Sequence, residues 1–308
     1  MIFDSFKNST NQSLGNHQGH TIVMKREDQL HPIVSGNKFR KLKYVFESLP
    51  KQVPALLTFG GAFSNHLAAT AATGAYFGVQ TIGIVRGEEW QNKINESETL
   101  SFCQKNGMKL HCISRASYSE KENAPEIQAL LKQSPQTLLL PEGGLSKLAV
   151  QGCEEILNDA DDEFEAVCVS VGTGATLAGL RNSAKPHQKI IGFPALQQTS
   201  YTSAVNPYII NHEFELQTAY TFGGYAKVTA ELIDFMNQFY QQYGIPLDPV
   251  YTGKMLFGIF DLIKKKKWVW GKKIMVIHTG GLQGVKPMNV LLQKKGFLPL
   301  NYGEDLPY

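Results

Sequence analysis

Thr58-Phe59-Gly60-Gly61-Ala62-Phe63-Ser64-Asn65-His66, running on into Leu67-Ala68-Ala69, changes its period in the middle. An apolar run stops at two glycines and restarts as a helical pattern behind Ser64 and Asn65. Both are favoured helix starters, since the side-chain oxygen accepts from a free N–H of the first turn. The stretch is therefore a strand, a turn and a helix. Outward from it the same unit recurs. Strands are expected at Ala55–Phe59, Thr81–Val85, Lys109–Ile113, Thr137–Leu140, Ala166–Val171, Lys189–Phe193 and Lys273–His278. They are apolar on both faces, as strands covered by helices on both sides are. Helices are expected at Leu67–Phe77, Glu96–Asn106, Ala149–Asn158, Thr176–Ser183, Lys227–Tyr243 and Met255–Lys265. Alternation of the two argues for an α/β fold built on open, twisted, mainly parallel sheets in αβα layers.

The acidic break Asn158-Asp159-Ala160-Asp161-Asp162-Glu163 and the Pro- and Lys-rich stretch near Glu47–Pro54 suggest two units. Residues 48–156 form a small α/β domain, and 1–47 join 157–308 in a larger one. The start, through about His20, is polar and weakly periodic, and is expected to be a surface arm or loop. A length of 308 residues is ample for a large core. With 43% hydrophobic and 19% charged residues and a net charge of +3, the chain is globular and carries no broad field for nucleic acid. The run Lys264–Lys267 has no interleaved aromatic platform and reads as a solvated helix end. Cys103, Cys112, Cys153 and Cys168 lack the paired spacing of a metal site, so no metal is expected. Without a signal sequence or an apolar run of ~18 residues, a cytoplasmic protein with no membrane contact is expected.

Ligands of open α/β sheets bind beyond the carboxyl ends of strands. Gly-rich turns follow strands at Gly60-Gly61, at Gly172-Thr173-Gly174-Ala175-Thr176 and at Thr279-Gly280-Gly281, so all three should line one crevice. The second opens a helix, where backbone N–H groups, the helix dipole and two threonine hydroxyls suit a phosphate monoester. Leu177 stands where a dinucleotide fingerprint needs its third glycine, and no G-x-x-x-x-G-K-[ST] occurs. Lys38 follows Gly36-Asn37 at the start of a helical pattern, where loss of solvation lowers an amine pKa as a Schiff-base lysine requires. Tyr225 and Tyr251 sit in Gly- and Pro-marked turns just before helices, placed to stack on a ligand or exchange a proton.

In this order the chain resembles the 1-aminocyclopropane-1-carboxylate deaminase and D-cysteine desulfhydrase family of fold-type-II, tryptophan synthase β-like enzymes. The resemblance spans Lys25 to Gln283 through seven landmarks. These are Lys25-Arg26-Glu27-Asp28, Ser35-Gly36-Asn37-Lys38, Gly60 to His66, Pro141-Glu142-Gly143-Gly144, Gly172 to Thr176, Tyr251-Thr252-Gly253-Lys254 and His278-Thr279-Gly280-Gly281. It implies pyridoxal 5'-phosphate as cofactor, a small amino acid as substrate and a homodimer. By position, Lys38 resembles the lysine that carries the cofactor and Asn65 the partner of its phenolic oxygen. Gly172, Thr173, Gly174, Ala175 and Thr176 match the phosphate loop, with Ala175 where many members have glycine. Ser64 matches the serine facing substrate, with Asn65, His66 and Tyr225 as further substrate contacts, and Tyr251 lies beside the cofactor ring.

Two positions bear on substrate. Cyclopropane-carboxylate deaminases of the family carry a glutamate after the second tyrosine and a leucine after the last histidine. Thr252 and Thr279 stand there, as in the desulfhydrase branch. A hydroxyl at the pyridine nitrogen makes a shallower electron sink than a carboxylate, sufficient for α-proton removal and loss of a good β leaving group. The expectation is β-elimination from D-cysteine to pyruvate, ammonia and sulfide. Lys38 or a neighbour takes the α-proton, and Tyr225 protonates or positions the leaving group. Cyclopropane ring opening to 2-oxobutyrate and ammonia, and cofactor carriage without turnover, are the alternatives.

Overall fold

The computed structural model describes residues 9–50, 53–196, 201–210 and 213–303. Ten strands lie among them: β1 Asn11–His17, β2 His20–Lys25, β3 Leu56–Gly60, β4 Thr81–Arg86, β5 Lys109–Ile113, β6 Leu138–Leu139, β7 Ala166–Val171, β8 Lys189–Pro194, β9 Glu215–Leu216 and β10 Lys273–Ile277. They form a six-stranded sheet, β1-β2-β10-β7-β8-β9, and a four-stranded sheet, β5-β4-β3-β6. Among the described residues every pairing is parallel except β1 with β2.

Alternation puts successive side chains on opposite faces, and here both faces are apolar. In the larger sheet Ile22, Met24, Cys168, Phe193, Ile274 and Val276 pack one way, against helices Ala230–Tyr243, Thr252–Lys264 and Val285–Lys294. Val167, Val169, Val171, Ile190, Met275 and Ile277 pack the other way, with Leu177 and Leu180 of helix Ala175–Ser183. In the smaller sheet Val85 meets Leu67, Ala68 and Leu100, while Leu57, Phe59 and Ile84 meet Tyr118 and Ile127. Three αβα layers result in each.

The polar start is not an arm. Residues 1–8 lie outside the described part, but Asn11–His17 is an edge strand hydrogen-bonded to β2 through a turn at Gln18 and Gly19. Only Leu14 of it is buried, which is why no apolar alternation announces it. The acidic break is not a solvated linker either. Asp161 is buried and pairs with the buried Lys25 at 2.7 Å, fastening the end of β2. Helices Arg115–Glu120, Pro125–Gln133 and Val285–Lys294 go beyond those expected from the pattern.

Helix Asn37–Glu47 joins the two sheets. Phe39, Leu42, Val45 and Phe46 pack with Leu56, Ala69 and Leu140 of the smaller unit. Its other side lies so close to helix Lys147–Glu154 that a Cβ on Gly152 would fall onto the carbonyl of Arg40.

Candidate active site

Parallel pairing carries three loops to one edge. β2, β10 and β7 are neighbours running the same way, so their carboxyl ends deliver the segment leading to Lys38, then His278-Thr279-Gly280-Gly281, then Gly172 to Thr176. These loops touch. Asn37 donates its N–H to the Thr279 carbonyl at 3.3 Å and its side-chain amide to Thr176 Oγ1 at 3.0 Å. Lys38 Nζ donates back to Asn37 Oδ1 at 2.9 Å. The helix is anchored from behind. Arg40 grips the buried Glu27 carboxylate in a fork at 2.8 and 3.0 Å, and the Glu27 carbonyl accepts from Gly36 N at 3.1 Å.

Lys38 is the first titratable group of the site. Burial pushes its amine down to about 7; the Lys41 ammonium adds to this, and Asp248 opposes it. Lys41 lies three residues on, hence on the same helix face. It is buried, and among the described residues no carboxylate pairs with it. Its Nζ donates instead to Gly143 O at 3.0 Å, the same carbonyl that Thr173 Oγ1 reaches at 3.5 Å. An uncompensated cation thus stands beside the glycine turn that opens helix Ala175–Ser183. Gly174 there has φ 96°, a left-handed conformation that favours glycine. A buried cation without a partner is costly unless an anion meets it. These residues fit a phosphate: Lys41, the N–H groups from Thr173 to Thr176, and the hydroxyls of Thr173 and Thr176.

The ring end of the crevice is lined by hydroxyls, with one carboxyl, Asp248, beside them. Thr279 Oγ1 and Ser170 Oγ, at the ends of β10 and β7, lie 3.2 Å apart. Thr252 is fully buried, its Oγ1 accepting from Asp248 N at 2.9 Å and facing Asp248 O at 3.4 Å. The Tyr251 ring covers Gly172, where an added Cβ would lie 3.2 Å from Cε1. Tyr225 packs edge-on against Tyr251 with ring centroids 6.2 Å apart. Asp248 is a carboxyl the sequence reading passed over. It accepts the N–H groups of Val250 and Tyr251 at 2.7 and 2.8 Å, and burial pushes it up to about 7.

From the smaller sheet, Ser64 caps helix Asn65–Phe77, its Oγ accepting from Leu67 N at 3.3 Å. Among the described residues nothing accepts from the N–H groups of Asn65 and His66, which are left for a ligand. Asn65 Nδ2 and Asp248 Oδ2 converge on Gly281. The His66 imidazole turns the other way, into the core. Thr58 gives its one hydroxyl proton to Leu140 O at 2.9 Å, so it accepts from His66 Nε2 at 2.9 Å. His66 is therefore neutral, with Nδ1 bare, and burial together with the charge of Lys38 holds its pKa well below the usual value. His278 accepts from Gly280 N at Nδ1, donates from Nε2 to Pro246 O, and lies 3.7 Å from Asp28.

The structure thus gathers Lys38, Asn65, Gly172 to Thr176, Tyr225, Tyr251 and Thr279 about one crevice. Thr252 and the His66 ring are turned into the fold around it. Asn37, Lys41, Ser170 and Asp248 escaped sequence reading. For Lys41 the spacing from Lys38 was the available signal, and for Ser170 a hydroxyl in an otherwise apolar strand.

Known proteins resemble the chain over nearly its whole length. The bifunctional D-cysteine desulfhydrase/1-aminocyclopropane-1-carboxylate deaminase of Arabidopsis thaliana mitochondria is 29% identical, over 87% of this chain and 74% of that one. The D-cysteine desulfhydrase of Klebsiella pneumoniae (strain 342) is 28% identical, over 87% and 89%. A solved ACC deaminase homologue shares the fold with a TM-score of 0.81 at 27% identity, covering 94% of this chain and 98% of that one. Residues 10–280 match the family model described as pyridoxal-phosphate dependent enzyme, and the chain belongs to that family.

Proposed function

We propose that the protein eliminates a β-substituent from small amino acids, D-cysteine foremost, releasing pyruvate, ammonia and sulfide. The observation that carries this reading is the hydroxyl pair at the ring end: Ser170 and Thr279 lie 3.2 Å apart where cyclopropane ring opening would call for a carboxylate. Bound pyridoxal phosphate supplies an electron sink for the α-carbon. Lys41, Thr173, Thr176 and the N–H groups of the Gly172–Thr176 turn would hold its phosphate, Asn65 its phenolic oxygen, Lys38 its aldehyde carbon and Tyr251 its ring.

The remaining steps belong to side chains and N–H groups. The free N–H groups of Asn65 and His66 and the Ser64 hydroxyl hold the substrate carboxylate, at a helix start whose dipole favours an anion. Released when the substrate amine takes its place, Lys38 is an amine near neutrality and takes the α-proton. The electron pair of that C–H bond becomes the Cα–Cβ double bond as thiolate leaves. Tyr225 positions or protonates the thiolate, and water completes hydrolysis to pyruvate and ammonia. We assign residues 48–156 to a small domain and 1–47 with 157–308 to a larger one, the crevice lying between them. The reading carries with it a homodimer in the cytoplasm, which light scattering and fractionation check. No described helix is long and apolar enough to cross a membrane.

A panel of D- and L-cysteine, β-chloro-D-alanine and 1-aminocyclopropane-1-carboxylate tests the function. Pyruvate with stoichiometric ammonia from the D-thiol and the chloride supports it. 2-Oxobutyrate from the cyclopropane at a comparable rate would favour the deaminase reading, and a cofactor-loaded protein inert to the whole panel would favour a carrier.

Two predictions attach to the cofactor end. Lys41→Met should raise the Kd for pyridoxal phosphate about 10- to 100-fold, since a hydrogen bond to a charged group is worth about 1.5–3 kcal/mol. The apoprotein should lose no thermal stability, because the substitution removes an unpaired buried cation. Fluorescence titration and a melting curve read both. The pH dependence follows from Lys38. Only the deprotonated amine attacks an aldehyde, so the rate of cofactor uptake by apoprotein should climb through about pH 7 and level off above about 8. Stopped-flow absorbance measures it; a rise centred near the ordinary lysine value would contradict the desolvated amine.

A further inference from the structure

Lys254 has no part in the reading above, yet it is one of the most deeply buried cations, only 2% exposed. It is the third residue of helix Thr252–Lys264, where the dipole disfavours positive charge. Among the described residues no carboxylate lies within ion-pair distance of it. Its Nζ donates to two carbonyls instead, Thr221 O at 2.8 Å and Gly224 O at 2.7 Å. Those carbonyls stand at the two ends of the Thr221–Gly224 turn, which leads directly into Tyr225.

That turn closes on itself with two backbone hydrogen bonds, Gly224 N to Thr221 O at 3.0 Å and Lys227 N to Gly224 O at 3.3 Å, yet its backbone is strained. Phe222, Gly223, Gly224 and Ala226 have φ of 53, 87, 122 and 55°, left-handed values that side chains at 222 and 226 resist. Backbone in such regions persists only where its surroundings over-determine it. One restraint is the Phe222 ring, packed edge-on against Phe257 at 5.0 Å. A further one is the Lys254 ammonium, whose bonds to the same two carbonyls are charge-assisted and made in a dry setting. Tyr225 itself is 48% exposed and packs edge-on against Tyr251.

We propose that Lys254 is a positioning residue: its ammonium clamps the Thr221–Ala226 turn and so sets the Tyr225 ring against Tyr251 at the mouth of the crevice. The inference rests on the role given to Tyr225 above. It explains why a helix start pressed against the site tolerates a buried lysine, and it makes turnover depend on a residue that touches neither cofactor nor substrate.

A double-substitution cycle on the cofactor-loaded enzyme tests it, with D-cysteine as substrate. Lys254→Met keeps the stem and removes the donors. It should lower kcat/KM at least tenfold while leaving the cofactor's absorbance and Kd unchanged. In a Tyr225→Ala background, with no ring left to position, the same substitution should cost less than twofold. An equal loss in both backgrounds overturns the proposal, as does a Lys254→Met enzyme of parental activity when Tyr225→Ala is impaired. If Tyr225→Ala is itself fully active, the role of Tyr225 fails and this inference with it. Should Lys254→Met not load cofactor, Gly224→Ala replaces it. An added Cβ there meets nothing within 4 Å, but φ is 122°, so the turn is disturbed with Lys254 intact. The same non-additivity with Tyr225→Ala is expected, and additivity overturns the proposal.

Discussion

Lys38→Ala is expected to abolish turnover, with kcat/KM for D-cysteine falling at least about 10³-fold, and to remove the yellow absorbance of lysine-bound cofactor. The magnitude follows from two jobs in one group, attachment of the aldehyde and transfer of the α-proton, of which the second alone is worth about 10²–10⁴. The fold should survive, because the amine is held near neutrality and its one hydrogen bond goes to the adjacent Asn37. The phosphate end should still bind cofactor, since Lys41 and the Gly172–Thr176 turn are untouched. Loss of activity with retained, non-covalent binding is therefore the expected pair of observations. Equilibrium dialysis and a D-cysteine assay read them together. A Lys38→Ala protein that keeps parental turnover would remove Lys38 from the mechanism.

Gly36→Ala should be nearly as damaging for a different reason. Gly36 has φ 59°, and a Cβ there would fall inside the Thr279 carbonyl and 2.8 Å from Gly280 N, which is backbone that cannot swing away. Both the left-handed conformation and the clash must be relieved by moving helix Asn37–Glu47 off the β10 turn. Strain of that kind costs about 1–3 kcal/mol, and the steric clash adds to it. The melting temperature should drop by roughly 5–10 °C at the ~2–4 °C per kcal/mol typical of chains this large. Cofactor affinity should fall in parallel, because Asn37 bridges Thr279 to Thr176 from the same turn. Gly61→Ala is the control. Its Cβ meets nothing within 4 Å and its φ is ordinary, so stability should hardly change.

Much of this was legible in the chain because the decisive places are marked by glycine. Gly60-Gly61, Gly172 to Gly174 and Gly280-Gly281 each end an apolar strand, and parallel pairing alone then brings the last two to one edge. The β7 bounds came out as expected for the same reason: a doubly buried strand is a nearly continuous apolar run. The edge strand Asn11–His17 was not legible. Its backbone bonds to β2 hold it in place, and only Leu14 shows that burial in its residue type.

Within the site, residue type said what chemistry was present but not which way a side chain points. Ser64-Asn65-His66 looked like three polar groups facing one ligand. The fold takes the Ser64 oxygen for a cap and buries the His66 ring against Thr58, leaving N–H groups in the crevice. Thr252, singled out as a ring partner, spends its hydroxyl on the Asp248 turn. Conversely, Lys41 stood in a cluster with Lys38, Arg40 and Lys43 whose members look interchangeable. Helical geometry separates them: Lys41 faces the crevice with Lys38, while Arg40 and Lys43 go to Glu27 and Glu155. Asp248 was hidden by its company, since an Asp-Pro pair usually marks an exposed turn.

The most direct test of the account is to locate the cofactor's attachment. The holoprotein is reduced with borohydride, digested, and the peptide carrying the pyridoxyl mass identified by mass spectrometry. The account predicts a single stoichiometric adduct on Lys38; an adduct on Lys41 or Lys254, or none, would contradict it.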